Sequence, residues 1–176
     1  VEGVTHAVAA PAPGSDFFAG FGAAIQLSTT PSITNPRIGL FASINDRITK
    51  KIGGSTAEVI SKLRRTLANL RASRSSRYKP DPGQYGKINM AAIDQASQNF
   101  LPFIVEVNRA NEILQLITVA REFNLNLVIM GGAEAWKVKR QLSEAAVPVI
   151  LDPLDNLPSN FNRLGARLDN AAILDS

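Results

Sequence analysis

Residues 101–157 read LPFIVEVNRANEILQLITVAREFNLNLVIMGGAEAWKVKRQLSEAAVPVILDPLDNL. Three short apolar runs rich in Val and Ile lie in this stretch, at residues 103–107, 125–130 and 147–151. Their first residues are 22 positions apart each time, and segments with helical periodicity separate them. Short strands that alternate with helices are typical of parallel βα units. The stretch therefore predicts an α/β fold in which the three strands lie side by side in parallel.

The bulk properties of the chain indicate a globular protein. Its 176 residues, 45% hydrophobic and 19% charged, are enough for one domain with a real core. The net charge of +4 permits an anionic partner without requiring one. The absence of cysteine excludes thiolate nucleophiles, disulfides and cysteine-based zinc sites. No run approaches the roughly 20 apolar residues of a membrane span, and no signal peptide is expected.

The rest of the chain adds strands and helices around this stretch. Strands are predicted at residues 4–10, 23–27 and 38–44, and the turn residues between the last two suggest a hairpin or an excursion. Ser55 and Glu58 fit a capping box that opens a helix to about residue 72. Asn89 and Asn111 are predicted to cap two further helices, another helix follows Gly132, and a last one begins near Asn160. The residues predicted to face the core are Ile60, Leu63, Leu67, Leu70, Met90, Ile93, Ala96, Ile113, Leu116, Ile117, Ala120, Phe123, Ala135, Val138, Leu142 and Ala145.

Parallel α/β folds place their sites at the carboxyl ends of strands, so the residues that follow each of the three strands are the site candidates. They are Glu106, Asn108 and Arg109 after the first, Met130, Gly131, Gly132 and Glu134 after the second, and Asp152 and Asp155 after the third. The carboxylates have the chemistry for acid–base work or for binding a hard cation. Alternatively, they cap helix N-termini or pair with Arg109.

Two glycines and two ring side chains also have alternative interpretations. Gly131 and Gly132 precede a helix, so their N–H groups would suit an anion, or the pair only permits a tight turn. The single histidine, His6, lies in an apolar run and is expected to be a core or hydrogen-bonded residue. No G-x-S-x-G motif accompanies it. Trp136 is expected to pack rather than to contact a substrate.

Seven basic residues and no acid lie between Glu58 and Asp81. They permit a phosphate- or nucleic-acid-binding interpretation. A solvated helix face followed by a loop is the preferred interpretation, because runs of charge usually lie on solvated surfaces. Because no ladder of aromatic residues is interleaved with the charges, no nucleic-acid partner is predicted.

Four stretches of the chain resemble the metal-dependent amidohydrolase superfamily, and in particular its imidazolonepropionase-related bacterial members. They read GVTHAVAAPAPG from residue 3, FAGFGAAIQL from 18, NRANEILQLITVAREFNLNLVIMGGAEAW from 108 and PVILDPLDNLPSNFNRLGARLDNAAIL from 148. The resemblance implies a (β/α)₈ TIM-type barrel. Residues 1–176 would be the middle portion of it, one domain or fragment of a longer bacterial protein, in the cytoplasm or the periplasm.

The same resemblance implies zinc or another divalent metal, held mainly by histidines, that activates a hydroxide. Relatives often read HAHRADDI where this chain has residues 106–113, so Glu106 and Asn108 replace two histidines. The next strand usually ends in histidine, whereas this chain has Met130 and Gly131. Amides and thioethers are poor zinc ligands. Glu106 is the one metal ligand this stretch still offers.

Three functional hypotheses follow. The first is a hydrolase of non-peptide C–N bonds, and the second is a catalytically inactive amidohydrolase-like barrel that serves as a binding or assembly subunit. The third is a doubly wound domain that binds a phosphorylated ligand at the glycine pair. Expected partners are the remaining segments of the barrel or another chain, a small-molecule substrate and further copies in an oligomer, but no membrane. The candidate substrate-binding residues are Glu106, Asn108, Arg109, Gly131, Gly132 and Asp152.

Overall fold

A computed structural model describes residues 3–12, 16–30, 32–75, 86–98, 100–152 and 157–176. The strands in these ranges are β1 (His6–Ala9), β2 (Phe18–Gln26), β3 (Ser32–Ser43), β4 (Phe103–Val107), β5 (Leu127–Gly131) and β6 (Val149–Ile150). The helices are α1 (Asp46–Lys51), α2 (Thr56–Ser75), α3 (Gly86–Ser97), α4 (Ala110–Phe123), α5 (Lys139–Glu144) and α6 (Asn170–Asp175). Short 3-10 turns lie at Ala135–Val138 and Phe161–Arg163.

All six strands form one sheet in sequential order, β1-β2-β3-β4-β5-β6. The pairs β1–β2 and β2–β3 are antiparallel. Of the hairpin or excursion predicted between the second and third strands, the structure shows the hairpin. The pairs β3–β4, β4–β5 and β5–β6 are parallel, as the βα pattern predicts. The sequential order differs from the 2-1-3-4-5 order of a flavodoxin-like doubly wound sheet. The phosphate-binding doubly wound hypothesis is therefore not supported by the topology.

Two of the predicted strands begin later than the apolar runs suggest. Asn124 adopts a left-handed conformation at the end of α4, and Leu125 N–H then bonds Ala120 O at 2.9 Å, so residue 125 belongs to the helix end. Similarly, Val147 N–H bonds Leu142 O at 3.0 Å, and Pro148 has no N–H. The last strand therefore contains only two residues, not the predicted five.

The helix predictions are right about location and less accurate about ends. Ser55 Oγ accepts the N–H of Glu58 at 3.2 Å, as the capping box predicts. The Asn111 prediction is wrong, because α4 begins at Ala110 and Asn111 lies within its first turn. The Asn89 prediction is also wrong, because α3 already begins at Gly86. After Asn160 only a 3-10 turn forms, and α6 starts ten residues later.

One hydrophobic core joins the helices to one face of the sheet. Leu40 and Ala42 of β3, the three alternate residues 103, 105 and 107 of β4, and Leu127 and Ile129 of β5 belong to it. The predicted core faces of α2 to α5 are confirmed, with Met90, Phe123 and Ala145 only partly buried. Side chains of a strand alternate between faces. Phe41, Ile104 and the other strand residues that alternate with these therefore lie on the opposite face of the sheet.

No helix in the described ranges has the length and apolar character needed to cross a bilayer.

Two glycines face each other across β2 and β3. Gly22 and Gly39 are in register, and a Cβ at Gly22 would clash with the Phe41 ring. Phe41 is only 5% exposed, so its ring has little room to move away. Glycine at position 22 is thus required by packing on the face that carries the strand-end residues described below.

We expect Gly22→Ala to lower the free energy of unfolding by about 1–3 kcal/mol, the usual cost of overpacking a filled core. Denaturant titration followed by circular dichroism measures it. In a Phe41→Leu background the same substitution should cost clearly less, because the clashing ring is gone. Equal costs in the two backgrounds would contradict this explanation.

Candidate functional site

The carboxyl ends of β3 to β6 carry four side chains in register across the sheet. Ser43 pairs with Glu106, Glu106 with Met130, and Met130 with Ile150. Because in-register residues of parallel strands point to the same side, the four form one row on the face opposite the helices, which we call the Glu106 row. It runs from a polar half at Ser43 and Glu106 to an apolar half at Met130 and Ile150.

A hydrogen-bond chain holds the polar half of the row. Ser43 is 1% exposed, and its Oγ donates to Glu106 Oε2 at 2.9 Å. Asn45 Nδ2 donates to the same Ser43 Oγ at 2.9 Å, and Asn45 Oδ1 accepts the N–H of Ile48 at the start of α1. The Glu106 carboxylate is therefore oriented by a buried hydroxyl that is itself fixed by a helix cap.

A second row of apolar side chains lies one step toward the amino ends of the strands. Phe41, Ile104 and Val128 are in register there. Phe41 and Ile104 are buried, and Val128 is half-buried. This apolar layer lies on the same sheet face as the Glu106 row, on the side of the amino ends of the strands.

Asn108 connects the end of β4 to the turn after β5. Its Oδ1 accepts the N–H of Ala133 at 3.2 Å, and its backbone oxygen accepts the N–H of Glu134 at 2.9 Å. The N–H of Gly132 bonds Val107 O at 2.8 Å. Three successive N–H groups of the turn are thus bonded within the protein, and an anion at this turn would have to displace those bonds.

Gly131 and Gly132 are required by the backbone of that turn. Their φ angles are +92° and +60°, values that L side chains rarely adopt. A Cβ at Gly131 would also lie 2.9 Å from Asn108 Oδ1. Asn170 of α6, itself buried, donates from Nδ2 to Gly132 O at 2.9 Å. This geometry favours the tight-turn interpretation of the glycine pair.

Glu134 caps the helix that Asn111 was expected to cap. Its Oε2 accepts the N–H of Ala110 at 3.0 Å, and its Oε1 bonds Lys137 Nζ at 2.7 Å. Burial acts to raise the pKa of Glu134, but the bonds from Lys137 and Ala110 outweigh it and hold the pKa below its usual value. The helix-capping alternative therefore describes Glu134.

Residues 160–169 approach the ends of β4 and β5. Arg109 donates to Phe161 O at 3.3 Å. Trp136 Nε1 donates to Gly165 O at 2.9 Å, and the Arg167 guanidinium lies 4.6 Å from the centre of the Trp136 ring. Trp136 thus has a packing role, as predicted, and Arg109 holds the chain segment that follows β6.

Glu112 is a buried carboxyl in the first turn of α4, and only 8% of it is exposed. Its Oε1 accepts the hydroxyl of Thr56, the first residue of α2, at 2.9 Å. Burial raises the pKa of Glu112, and the Asp46 carboxylate acts in the same direction, whereas Thr56 and Arg109 oppose them. The Glu112 carboxyl therefore connects the N-terminus of α4 to the N-terminus of α2.

The remaining candidate residues lie apart from the row or outside the described residues. Asp152 is exposed, two residues after β6, and Asp155 falls outside the described ranges. His6 is exposed and bonds Thr5 Oγ1 at 3.0 Å, so of the two predicted alternatives it is the hydrogen-bonded one and not the core one. In the basic stretch, Arg64 pairs with Glu122 at 3.3 Å and Arg74 with Asp94 at 2.6 Å, while residues 76–85 are not described.

The donors on these strand ends do not fit a zinc site. Zinc takes imidazole, thiolate and carboxylate ligands in a tetrahedral set. Here one carboxylate, Glu106, has an oxygen bonded to Ser43, and the amide oxygen of Asn108 accepts a backbone N–H. Met130 supplies only a thioether, and Gly131 has no side chain. Among the described residues no three His, Cys, Asp or Glu side chains group together.

Comparison with known proteins supports the fold. The crystal structure of an amidohydrolase from Thermotoga maritima MSB8 matches 98% of this chain with a TM-score of 0.83 and 21% sequence identity. The match covers 48% of that chain, so the present chain spans about half its length. No protein-family model matches, and no curated protein matches by sequence. The chain therefore has an amidohydrolase-like fold, part of a TIM-type barrel, which confirms the predicted fold class.

Sequence reasoning missed Ser43 and Asn45. Ser43 lies at the end of the strand predicted at 38–44, and Asn45 directly follows it. Their positions carried a usable signal, since a serine and an asparagine at the carboxyl end of a strand in the same parallel sheet belong among the site candidates.

We expect the free energy of unfolding of Glu112→Gln, relative to that of the wild type, to increase as the pH rises from acid to neutral. The folded-state pKa of Glu112 lies above the unfolded one, so the stability from its protonated form is fully present below the unfolded pKa. That stability is lost as pH rises through the folded pKa. The neutral amide avoids this loss and can still accept from Thr56. Urea titrations across this pH range measure the difference, and Glu122→Gln, exposed on the same helix, should show no such rise. A pH-independent difference for Glu112→Gln would contradict the assignment.

Glu134 should show the opposite pH dependence. Its lowered folded-state pKa means that its contribution is present above the unfolded pKa and lost as pH falls through the folded one. Glu134→Ala removes the cap of α4 and should cost about 0.5–2 kcal/mol at neutral pH. Glu134→Gln keeps an acceptor for Ala110 N–H and should cost less. Thermal melts at neutral and acidic pH measure both variants, and a cost that persists in acid would argue against the charged cap.

Proposed function

We propose that this chain is part of an amidohydrolase-like barrel that binds a small molecule at the Glu106 row and is catalytically inactive as a metal hydrolase. One observation carries the proposal. The residues that stand where the resembled family has metal-binding histidines are bonded inside the protein or bear no suitable donor. Glu106 is held by Ser43, and Asn108 by the β5 turn.

The structural roles of these residues differ from those of metal ligands. A ligand must direct a lone pair toward a common centre. The only amide oxygen of Asn108 is directed at Ala133 N–H, away from such a centre. Met130, which is in register with Glu106, supports a half-buried apolar surface instead. The donor set thus favours recognition of a ligand over activation of a metal-bound hydroxide.

Binding capacity remains at the row. Within the described ranges, Glu106 Oε1 and Asn108 Nδ2 have no bonded partner, and both groups belong to half-buried residues. Glu106 lies in β4 and Asn108 directly follows the end of that strand, so the acceptor and the donor are two residues apart in the sequence, roughly 6–7 Å in extended chain. They offer a polar ligand two points of attachment beside the apolar half of the row.

A hydrolase of non-peptide C–N bonds is the second candidate. Ligating carboxylates are themselves hydrogen-bonded, and the bond from Ser43 to Glu106 has that form. The name of the matched Thermotoga protein, an amidohydrolase, favours this candidate too. It requires zinc or another divalent metal whose other ligands lie outside the described residues, so no catalytic step is assigned here.

The intact assembly would supply the barrel segments that this chain does not contain. Strands β1 and β6 form the two edges of the sheet. Beside β6 a groove of about 600 Å³ is lined by apolar residues, among them Leu142, Val149 and Leu174, and by the polar residues Lys139, Ser143, Asp175 and Ser176. Remaining segments of the same barrel, or another chain in an oligomer, would cover this edge.

Metal content of the intact protein tests the first proposal against the second. Protein made with added zinc and manganese is analysed by plasma mass spectrometry, as wild type and as Glu106→Gln. We expect far less than one metal per chain in both. Glu144→Gln, an exposed carboxylate on α5, is the matched control.

A stoichiometric metal that is lost in Glu106→Gln and retained in Glu144→Gln would overturn the first proposal and support the hydrolase. A stoichiometric metal that all three proteins retain would remove Glu106 from the ligand set and contradict both assignments of that residue.

A further inference from the structure

The Glu106 row combines one fixed carboxylate with an adjacent apolar surface. We propose that it binds small molecules that carry a protonated amino group next to an apolar chain. This inference rests on the proposed binding function and specifies the ligand class of that site. It depends on the charge of Glu106 and on the composition of the other half of the row.

The polar half of the row favours a cation. Within the described parts of the chain, Glu106 forms no ion pair, although five other ion pairs occur there. The basic residue nearest in sequence, Arg109, is exposed and donates to Phe161 O instead. A half-buried carboxylate without a cationic partner is stabilised most by a cationic ligand, because the hydrogen bond between them is charge-assisted.

The orientation of the carboxylate further restricts the ligand. Ser43 bonds Oε2 and is itself fixed by Asn45, so Oε1 is the oxygen left for a ligand. Holding the group in place lowers the entropy cost of binding. An ammonium group satisfies this acceptor with one of its three donors, whereas a carboxylate ligand would be repelled.

The apolar half of the row favours a hydrocarbon chain. Met130 is the in-register neighbour of Glu106, and Ile150 is 50% exposed one strand further. Two strand spacings separate Glu106 from Ile150, a span of roughly 10 Å. The thioether of Met130 adapts to ligands of different shape. A chain that extends from the ammonium group across these two side chains would remove their apolar surface from water.

Three probes of equal chain length test the charge requirement. Hexylamine, hexanol and hexanoate are titrated into the intact, EDTA-treated protein, and binding is followed by ligand-observed NMR. We expect hexylamine to bind about tenfold or more tightly than hexanol, and hexanoate not to bind. Glu106→Gln should abolish the advantage of the amine, while Glu144→Gln should retain it.

A second pair of measurements tests the apolar half. Ethylamine should bind more weakly than hexylamine, and Met130→Ala should reduce that difference. Ser43→Ala keeps the charge and frees the carboxylate, so it should weaken hexylamine binding less than Glu106→Gln does. If Glu106→Gln fails to fold, which circular dichroism would show, a reduced preference for hexylamine over hexanol in Ser43→Ala replaces it as the test.

Equal affinity for hexylamine and hexanol, or an amine preference that survives in Glu106→Gln, would overturn the proposal. An amine preference that Ser43→Ala leaves unchanged would overturn the claim that Ser43 orients the group. Because EDTA removes any metal before titration, these results are independent of metal content. Amine binding in a protein that also proves to be a metal hydrolase would uphold the ligand class and reject the inactive-barrel proposal.

Discussion

The parallel pairing of β3 with β4 is the constraint on which the rest of the molecule depends. Leu40 to Ser43 run beside Phe103 to Glu106 in register. On one face this alignment places Ala42 beside Val105 in the helix-covered core. On the other face it places Ser43 beside Glu106. A shift of one residue would exchange the two faces, so the same register that buries the core also orients the carboxylate.

Much of the fold could be predicted from local patterns. The limits of β4 and the buried face of α4 follow from residues close together in the sequence, because their apolar spacing is set by helix and strand geometry. The βα alternation also identifies the parallel part of the sheet. The antiparallel pair β2–β3 was predicted only as a hairpin or excursion, and the pair β1–β2 was not predicted, since turn residues fix neither strand length nor register.

The errors concern contacts between residues distant in sequence. Asn111 has good N-cap chemistry, but Glu134, 24 residues beyond Ala110, caps the helix instead. The bond between Ser43 and Glu106 spans 63 residues, and no local pattern could have revealed it. The glycine pair was identified correctly as a turn or an anion site, but choosing between them required the positions of Asn108 and Val107.

The separation of Ser43 from Glu106 also has a kinetic consequence. The units β4–α4–β5 and β5–α5–β6 each close over about twenty residues, whereas pairing of β3 with β4 must wait for the longer connection that contains α1, α2 and α3. Loop-closure entropy rises with the length of the connection, and distant contacts form slowly. The apolar half of the row therefore assembles early during folding and its polar half late. Refolding should regain secondary structure before it regains the geometry around Glu106.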